Sequence, residues 1–445
     1  MSTRLTVEAG RAQIEKFEIT SNYDAGTENY GPRCVELCVY ESVFDSTVRA
    51  KGQFVDAGYN KSNMSANDER FNMTAGEKTE IKIVDGRENY LEFTGDYQLR
   101  VRKQQREQFS TPSNTYVNFF ADFYSKESME NHLVEKRATK KFEGFPDEHV
   151  QTLISDVLGS PKNIQVDPTI IPYNFLGYSE KVFHHTANLC NKGCHEKYLG
   201  KTAGYLFYEV AKGTDSEGGY RYKSIDILFE QEPKRKYIFN NNVKTPDGYD
   251  DSILNYYENV SINADSELMS GATAQWKSIT FQPYLKLTDE NIFDYKDQEQ
   301  VVNNAGKEFH KIASDLEIQT KETRKYTRLW DNSALPHGKN WAEQQPHSKE
   351  LLGPGNYDIE KLIRQSHDRF NQLLGIQITI LIPMDLTLHV GDLVQCDLPQ
   401  VDSEKTEDSK NRSGIYMILD LCHRITPNTS YTSLHLSRDS TIYKK

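Results

Sequence analysis

The sequence predicts a β-rich α+β fold, two similar small β-barrel domains carrying mixed α/β insertions, and three observations lead to it. Ile376, Ile378, Ile380 and Ile382 alternate with Gln377, Thr379 and Leu381 until Pro383 stops the ladder, the period of two that buries one face of a strand. Tyr and Phe are plentiful, at 26 and 20, although the mean hydropathy is −0.71 and 37% of residues are hydrophobic, a balance that suits sheets and interfaces. Finally, Gly76-Glu77, Thr111-Pro112 and Tyr116 fall at the same mutual spacing as Gly391-Asp392, Thr426-Pro427 and Tyr431, which brings Phe119 and Ala121 into register with Leu434 and Leu436. Duplication of a barrel gives this pattern, and so does coincidence, since the residues between the anchors show almost no identity and turn Gly and Pro are common.

In chain order, residues 34–56 read as a hairpin around Asp45-Ser46, with Val35, Leu37 and Val39 on one strand face and Val48, Ala50 and Phe54 on the next. A second pair, 79–84 and 90–102, turns at Asp85-Gly86, and 116–124 sets Val117, Phe119, Ala121 and Phe123 on one side. Residues 1–125 are therefore the first barrel domain. Beyond it Ser125 caps a short helix reaching His132. Asp147 caps a clearer helix in which Val150, Leu153, Ile154, Val157 and Leu158 recur at helical spacing until Gly159 ends it. Pro161, Pro168 and Pro172 keep the rest irregular, so residues 126–203 form a mixed helical insertion.

The second barrel is split between residues 204–260 and 376–445. It starts with a hairpin, 204–210 and 220–230, whose connection is polar and glycine-rich. Residues 261–375 are a polar insertion. Within it 289–356 lacks periodicity and loses more entropy on ordering than burial returns, so it is expected to order mainly against partners. A helix follows at 359–374, capped by Asp358, with Leu362, Ile363, Phe370, Leu373 and Leu374 on its apolar side. The final strands lie at 376–382, 393–398, 415–421 and 431–436, punctuated by Pro383, Pro399 and Pro427, with an exposed polar tip at 400–412.

A chain of 445 residues exceeds one ordinary core. No apolar run approaches the ~20 residues of a membrane span, and residues 1–10 lack a signal segment, which predicts folding in a cytoplasm. A net charge of −12 argues against general nucleic-acid binding. Six cysteines, at 34, 38, 190, 194, 396 and 422, are expected as free thiols. The one metal-like group is His184, His185, Cys190, Cys194 and His195. Its spacing is permitted for zinc without being diagnostic, so packed thiols and surface imidazoles are the expectation, with no metal and no cofactor. Cys422 beside His423 does not make a nucleophile and base, because consecutive strand residues point to opposite faces. Cys396 and Cys422 are expected on neighbouring strands, as packing residues. Phosphate loops, nucleophile elbows and His-Glu-Xaa-Xaa-His helices are absent from the sequence, so no catalytic residue is assigned.

Val390-Gly391-Asp392-Leu393-Val394, Ser413-Gly414-Ile415-Tyr416-Met417-Ile418, Cys422-His423-Arg424-Ile425-Thr426-Pro427-Asn428, Tyr431-Thr432-Ser433-Leu434 and Arg438-Asp439-Ser440 resemble the C-terminal barrel of the central hub protein in the baseplates of contractile-tailed, T-even-type phages and their marine relatives. Leu206-Phe207-Tyr208-Glu209 and Tyr222-Lys223-Ser224-Ile225-Asp226 resemble the same family. The resemblance implies a structural virion protein rather than an enzyme, assembled in the host cytoplasm. It implies a homotrimer that adapts a hexameric tail tube to a trimeric central spike, each copy donating two barrels, with baseplate wedge proteins as further partners. An acidic lumen would pass DNA without sequence-specific binding. A tail-associated glycan or cell-wall hydrolase is the alternative, needing two carboxylates in a cleft. A secretion-device spike, which shares the hub barrels, is disfavoured by the absence of spike repeats before Lys445.

Overall fold

The computed structural model describes residues 11–22, 26–56, 74–110, 115–239, 245–259, 277–281, 294–297, 327–331, 376–398 and 413–438, together with positions 362, 363, 365, 366, 369, 370 and 373. The chain is β-rich with few helices. Its N-terminal strands are β1 (Ala12–Thr20), β2 (Thr27–Asn29), β3 (Cys34–Ser42), β4 (Arg49–Asp56), β5 (Lys78–Asp85), β6 (Tyr90–Phe93), β7 (Leu99–Ser110) and β8 (Thr115–Ser125). Period-two burial drives them, as in β5, where Thr79, Ile81 and Ile83 face inward between exposed lysines and acids. The stretch expected as one strand over 90–102 is broken by a 3₁₀ turn at Gly95–Tyr97. Strand β1 was not legible in the sequence. A register shift between Ile14 and Lys16 interrupts its alternation, although Phe17 and Ile19 are fully buried.

Five strands of the second unit are β9 (Asn255–Asn259), β10 (Ile376–Pro383), β11 (Leu393–Asp397), β12 (Gly414–Ile425) and β13 (Ser430–Arg438). The order β3-β4-β8-β7-β5 recurs as β9-β10-β13-β12-β11, antiparallel throughout. The shift that carries Gly76 to Gly391 also carries Leu99–Ser110 onto Gly414–Ile425, end to end. Register follows too: Gln105 faces Phe120 as Asp420 faces His435, and the match holds to Ser110 facing Thr115 as Ile425 faces Ser430.

Local geometry repeats as well. Gly76 and Gly391 both have positive φ, at 93° and 86°. The Gly76 N–H donates to Val101 O (2.7 Å) while Val101 N–H donates to Glu77 O (3.1 Å); Gly391 N–H donates to Ile418 O (2.9 Å) while Ile418 N–H donates to Asp392 O (3.0 Å). Val101 and Ile418 each stand immediately before the β-bulge of their strand. Of the two explanations left open by the spacing, the recurring strand order, register and turn favour duplication. Among the described residues neither unit closes into a barrel; their pairings merge into one 16-stranded sheet.

Helices gather in the insertion. Pro146–Thr152 begins with proline at its first turn, where a missing N–H costs nothing, and Glu148 accepts the Phe145 N–H at 3.2 Å, so the cap is not at Asp147. A widened turn, Leu153–Leu158, continues it to the left-handed Gly159. The helix Val182–Cys190 escaped sequence reading because its buried stripe includes His185 and Thr186. The hairpin Tyr205–Val210 with Gly219–Ser224 forms a separate three-stranded sheet with Ile164–Val166 instead of pairing with the strands of the second unit. It is buried on both faces: Leu206, Tyr208 and Val210 enter the core of the second unit, Tyr205 and Phe207 that of the insertion. The polar insertion contains strands at Lys277–Phe281, Asp294–Asp297 and Thr327–Asp331, two of them within the stretch expected to lack order; the remainder of 289–356 lies outside the described residues. The described positions between 362 and 373 are helical, with Leu362, Ile363 and Leu373 buried as expected; Asp358 and Leu374 lie outside them.

Candidate assembly interface

Charged, polar and aromatic side chains on one face of the sheet form a continuous surface across both units. Its strands run β9-β10-β13-β12-β3-β4-β8-β7, and the two units meet where Asp420–Ile425 of β12 pairs antiparallel with Leu37–Ser42 of β3. This junction is possible because β11 occupies only the start of β12, up to Met417, and leaves the rest of that edge to β3.

Among the described strands the belt ends at β7 and β9. In the first unit, β5 pairs only with Leu99 and Arg100 of β7, and from Lys103 onward β7 pairs with β8 alone among the described strands. At the far end β9 pairs only with β10, and Leu254 and Tyr257 are 52% and 67% exposed. Strand β7 is the counterpart of β12, and β9 that of β3. The two end strands of the described belt are thus the counterparts of the two elements that join inside the chain. An uncovered strand edge presents main-chain N–H and C=O groups ready for another strand.

Beneath the junction lies a buried polar cluster. Glu41 accepts from the Ala211 and Val390 N–H groups at 2.9 and 3.2 Å and sits 3.0 Å from His389 Nδ1. Burial alone would raise its carboxyl, but His389 and these donors outweigh it and hold the group below the usual carboxylate range. His423, fully buried beside Thr432 Oγ1 (3.0 Å), is pushed down to about 4 by burial. Above the junction, on the solvent side, a cavity of about 590 Å³ is lined by Cys38, Tyr40, Tyr257, Cys422, Arg424 and Tyr431, among others.

The metal-like residues do not converge. His185 Nε2 lies 2.9 Å from Gly177 O, His184 Nε2 2.8 Å from the Asn188 amide, and His195 Nδ1 accepts the Lys197 N–H at 3.2 Å. The Cys190 thiol donates to Thr186 O (3.3 Å) and is pushed up to about 12 by burial, while Cys194 is fully buried against Thr202 O. Among the described residues no three His, Cys, Asp or Glu side chains come together as ligands. Cys396 and Cys422 occupy adjacent strands as expected, but Cys396 faces Gly414 and lies in the core, whereas Cys422 faces Tyr40 across the junction.

A glycan hydrolase would need an acid of raised pKa in an open cleft. Glu209 has such a raised carboxyl, from burial opposed by Lys162, but it is sealed. Lys162 Nζ lies 2.6 Å from both Glu127 and Glu209, all three side chains at most 3% exposed, and Glu209 also accepts from Val48 N–H and Ser125 Oγ. This triad ties the insertion to the first unit.

No family model matches the sequence. Over 159 residues the chain is 26% identical to the probable baseplate hub protein gp334 of Vibrio phage KVP40. The chain resembles a phage baseplate hub protein. The match covers 35% of this chain and 34% of the relative's length. The 43 kDa tail protein of prophage MuSo2 from Shewanella oneidensis aligns with a TM-score of 0.49 at 8% identity, covering 96% of this chain and 99% of that one. The c3393 protein of E. coli, described as a type VI secretion component structurally similar to the T4 phage tail proteins gp27 and gp5, aligns at 0.46 and 8% identity over 98% of this chain and 77% of its own.

Proposed function

We propose that the protein is a structural hub of a phage tail baseplate and that three copies close the belt into a ring, with no catalytic role. One observation carries this reading: the β12·β3 pairing inside the chain supplies the geometry for its counterpart, β7 of one copy against β9 of the next. Repeating the same contact alternately within and between chains gives six near-equivalent units from three copies, a match for a sixfold tail tube on one side and a threefold spike on the other. Transferring the internal register, in which Arg424 faces Cys38, places Phe109 opposite Asn259 of the neighbour. The two duplicated units, residues 1–125 and 204–260 with 376–445, would build the ring, leaving the insertions at 126–203 and 261–375 for wedge or spike proteins. The face that would line the channel carries Glu36 paired with Arg424 (2.9 Å) and Asp420 beside His435 (2.7 Å).

The test is a double variant, Phe109→Cys with Asn259→Cys, oxidised at low concentration. Expected is a denaturant-resistant ladder ending at three chains, absent from each single variant. A protein that sediments as a monomer at all concentrations and yields no ladder would overturn the ring.

A further inference from the structure

The β12·β3 junction brings together two thiols that the sequence keeps far apart. Cys422 stands opposite Tyr40 and Arg424 opposite Cys38, so Cys38 and Cys422 are diagonal neighbours on the same, solvent-side face. The Cys38 thiol donates to Glu36 Oε1 at 3.3 Å, and Tyr40 stands between the two cysteines in the register, directly opposite Cys422. Both residues line the cavity of about 590 Å³, which is wide enough for a small oxidant; Cys422 is partly exposed and Cys38 is buried. The remaining four differ: Cys190, Cys194 and Cys396 are buried, and Cys34 is partly buried against the core of the first unit.

We propose that Cys422 and Cys38 form a peroxide-sensitive thiol pair, Cys422 the attacking sulfur and Cys38 the resolving one, whose oxidation staples the two units across their junction. The neighbouring Cys38, and then Tyr40, favour the Cys422 thiolate against the opposing effect of burial. In the first step the Cys422 thiolate displaces hydroxide from a hydroperoxide oxygen; with hydrogen peroxide and one proton the products are Cys422 sulfenic acid and water. In the second, the Cys38 sulfur attacks the sulfenic sulfur, its proton leaves with the departing hydroxyl as a second water, and the disulfide forms. Two thiols are oxidised and one peroxide is reduced to two waters. A chain kept reduced during assembly and exposed to oxidant afterwards would acquire the staple at that stage. This timing rests on the virion reading; the chemistry does not.

The experiment uses the full chain under native conditions, with differential alkylation and mass spectrometry before and after hydrogen peroxide. Cys422 should alkylate about tenfold faster than Cys396, the order expected for an activated, accessible thiol against a buried one. Peroxide should yield a linked Cys38–Cys422 peptide pair that dithiothreitol releases. In Cys38→Ser, peroxide should leave Cys422 as a sulfenic acid captured by dimedone, and in Cys422→Ser, Cys38 should stay reduced. The alkylation comparison needs no variant, so misfolding of either leaves the proposal testable. Equal alkylation of Cys422 and Cys396, or oxidation that stops at Cys422 in the unaltered chain, would overturn it, and neither outcome bears on the ring.

Discussion

A neutral imidazole sealed under the junction makes this protein's stability depend on pH. His423 titrates near 4 when folded, against an ordinary value of 6.5, so between those limits the unfolded chain binds the extra proton. Stability therefore falls as pH drops from about 6.5 towards 4. Glu80, held down to about 2 by Lys16 and then Lys78, contributes stability above its ordinary 4.5 that is lost as pH falls towards 2, a separate and lower window. From pH 7 to pH 5 the His423 effect should reach about 2 kcal/mol. Urea unfolding at both pH values should show that loss in the parent and a much smaller one in His423→Gln. Parallel losses in the two proteins would mean another group senses the proton. Little of this was visible in the sequence, where His423 reads as one more residue of an alternating strand. Its burial requires β3, nearly four hundred positions away, to cover it.

At the scale of single elements, the duplicated turn separates two kinds of glycine requirement. Gly76 and Gly391 share a left-handed conformation that costs an L-residue about 1 kcal/mol. A Cβ on Gly76 would find its nearest neighbour, Asn22 Nδ2, at a comfortable 3.6 Å, whereas one on Gly391 would collide with the Tyr208 hydroxyl. Gly76→Ala should thus cost about 1 kcal/mol and Gly391→Ala about 2–4 kcal/mol, strain plus overpacking, measured by chemical denaturation. Equal losses would show that Tyr208 yields freely. The spacing of these glycines was legible from the sequence. Their difference was not, since Tyr208 belongs to the hairpin shared with the insertion. Strands with clean alternation, such as β5 and β10, were readable for the same reason that β1 was not: a bulge shifts the period by one residue and erases the signal.

For the whole molecule, the question is what becomes of the two ends of the belt. If main-chain hydrogen bonds between β7 and β9 join the copies, association should change little in high salt, because such bonds are not screened as surface charges are. Sedimentation should therefore give three chains at both low and high ionic strength. A trimer that dissociates as salt rises would point instead to contacts between charged insertions.

Alternating side chains and turn residues by themselves determined a β-rich chain, and the recurrent Gly, Pro and Tyr spacing raised duplication without deciding it, because period-two burial and turn chemistry are local properties written into neighbouring residues. Tertiary structure alone decided that the halves merge through β12 and β3, that Cys38 meets Cys422 there, and that the metal-like residues disperse to separate partners. Those outcomes depend on which strand edge lies free after local pairing is satisfied, and edge availability is a property of the folded sheet.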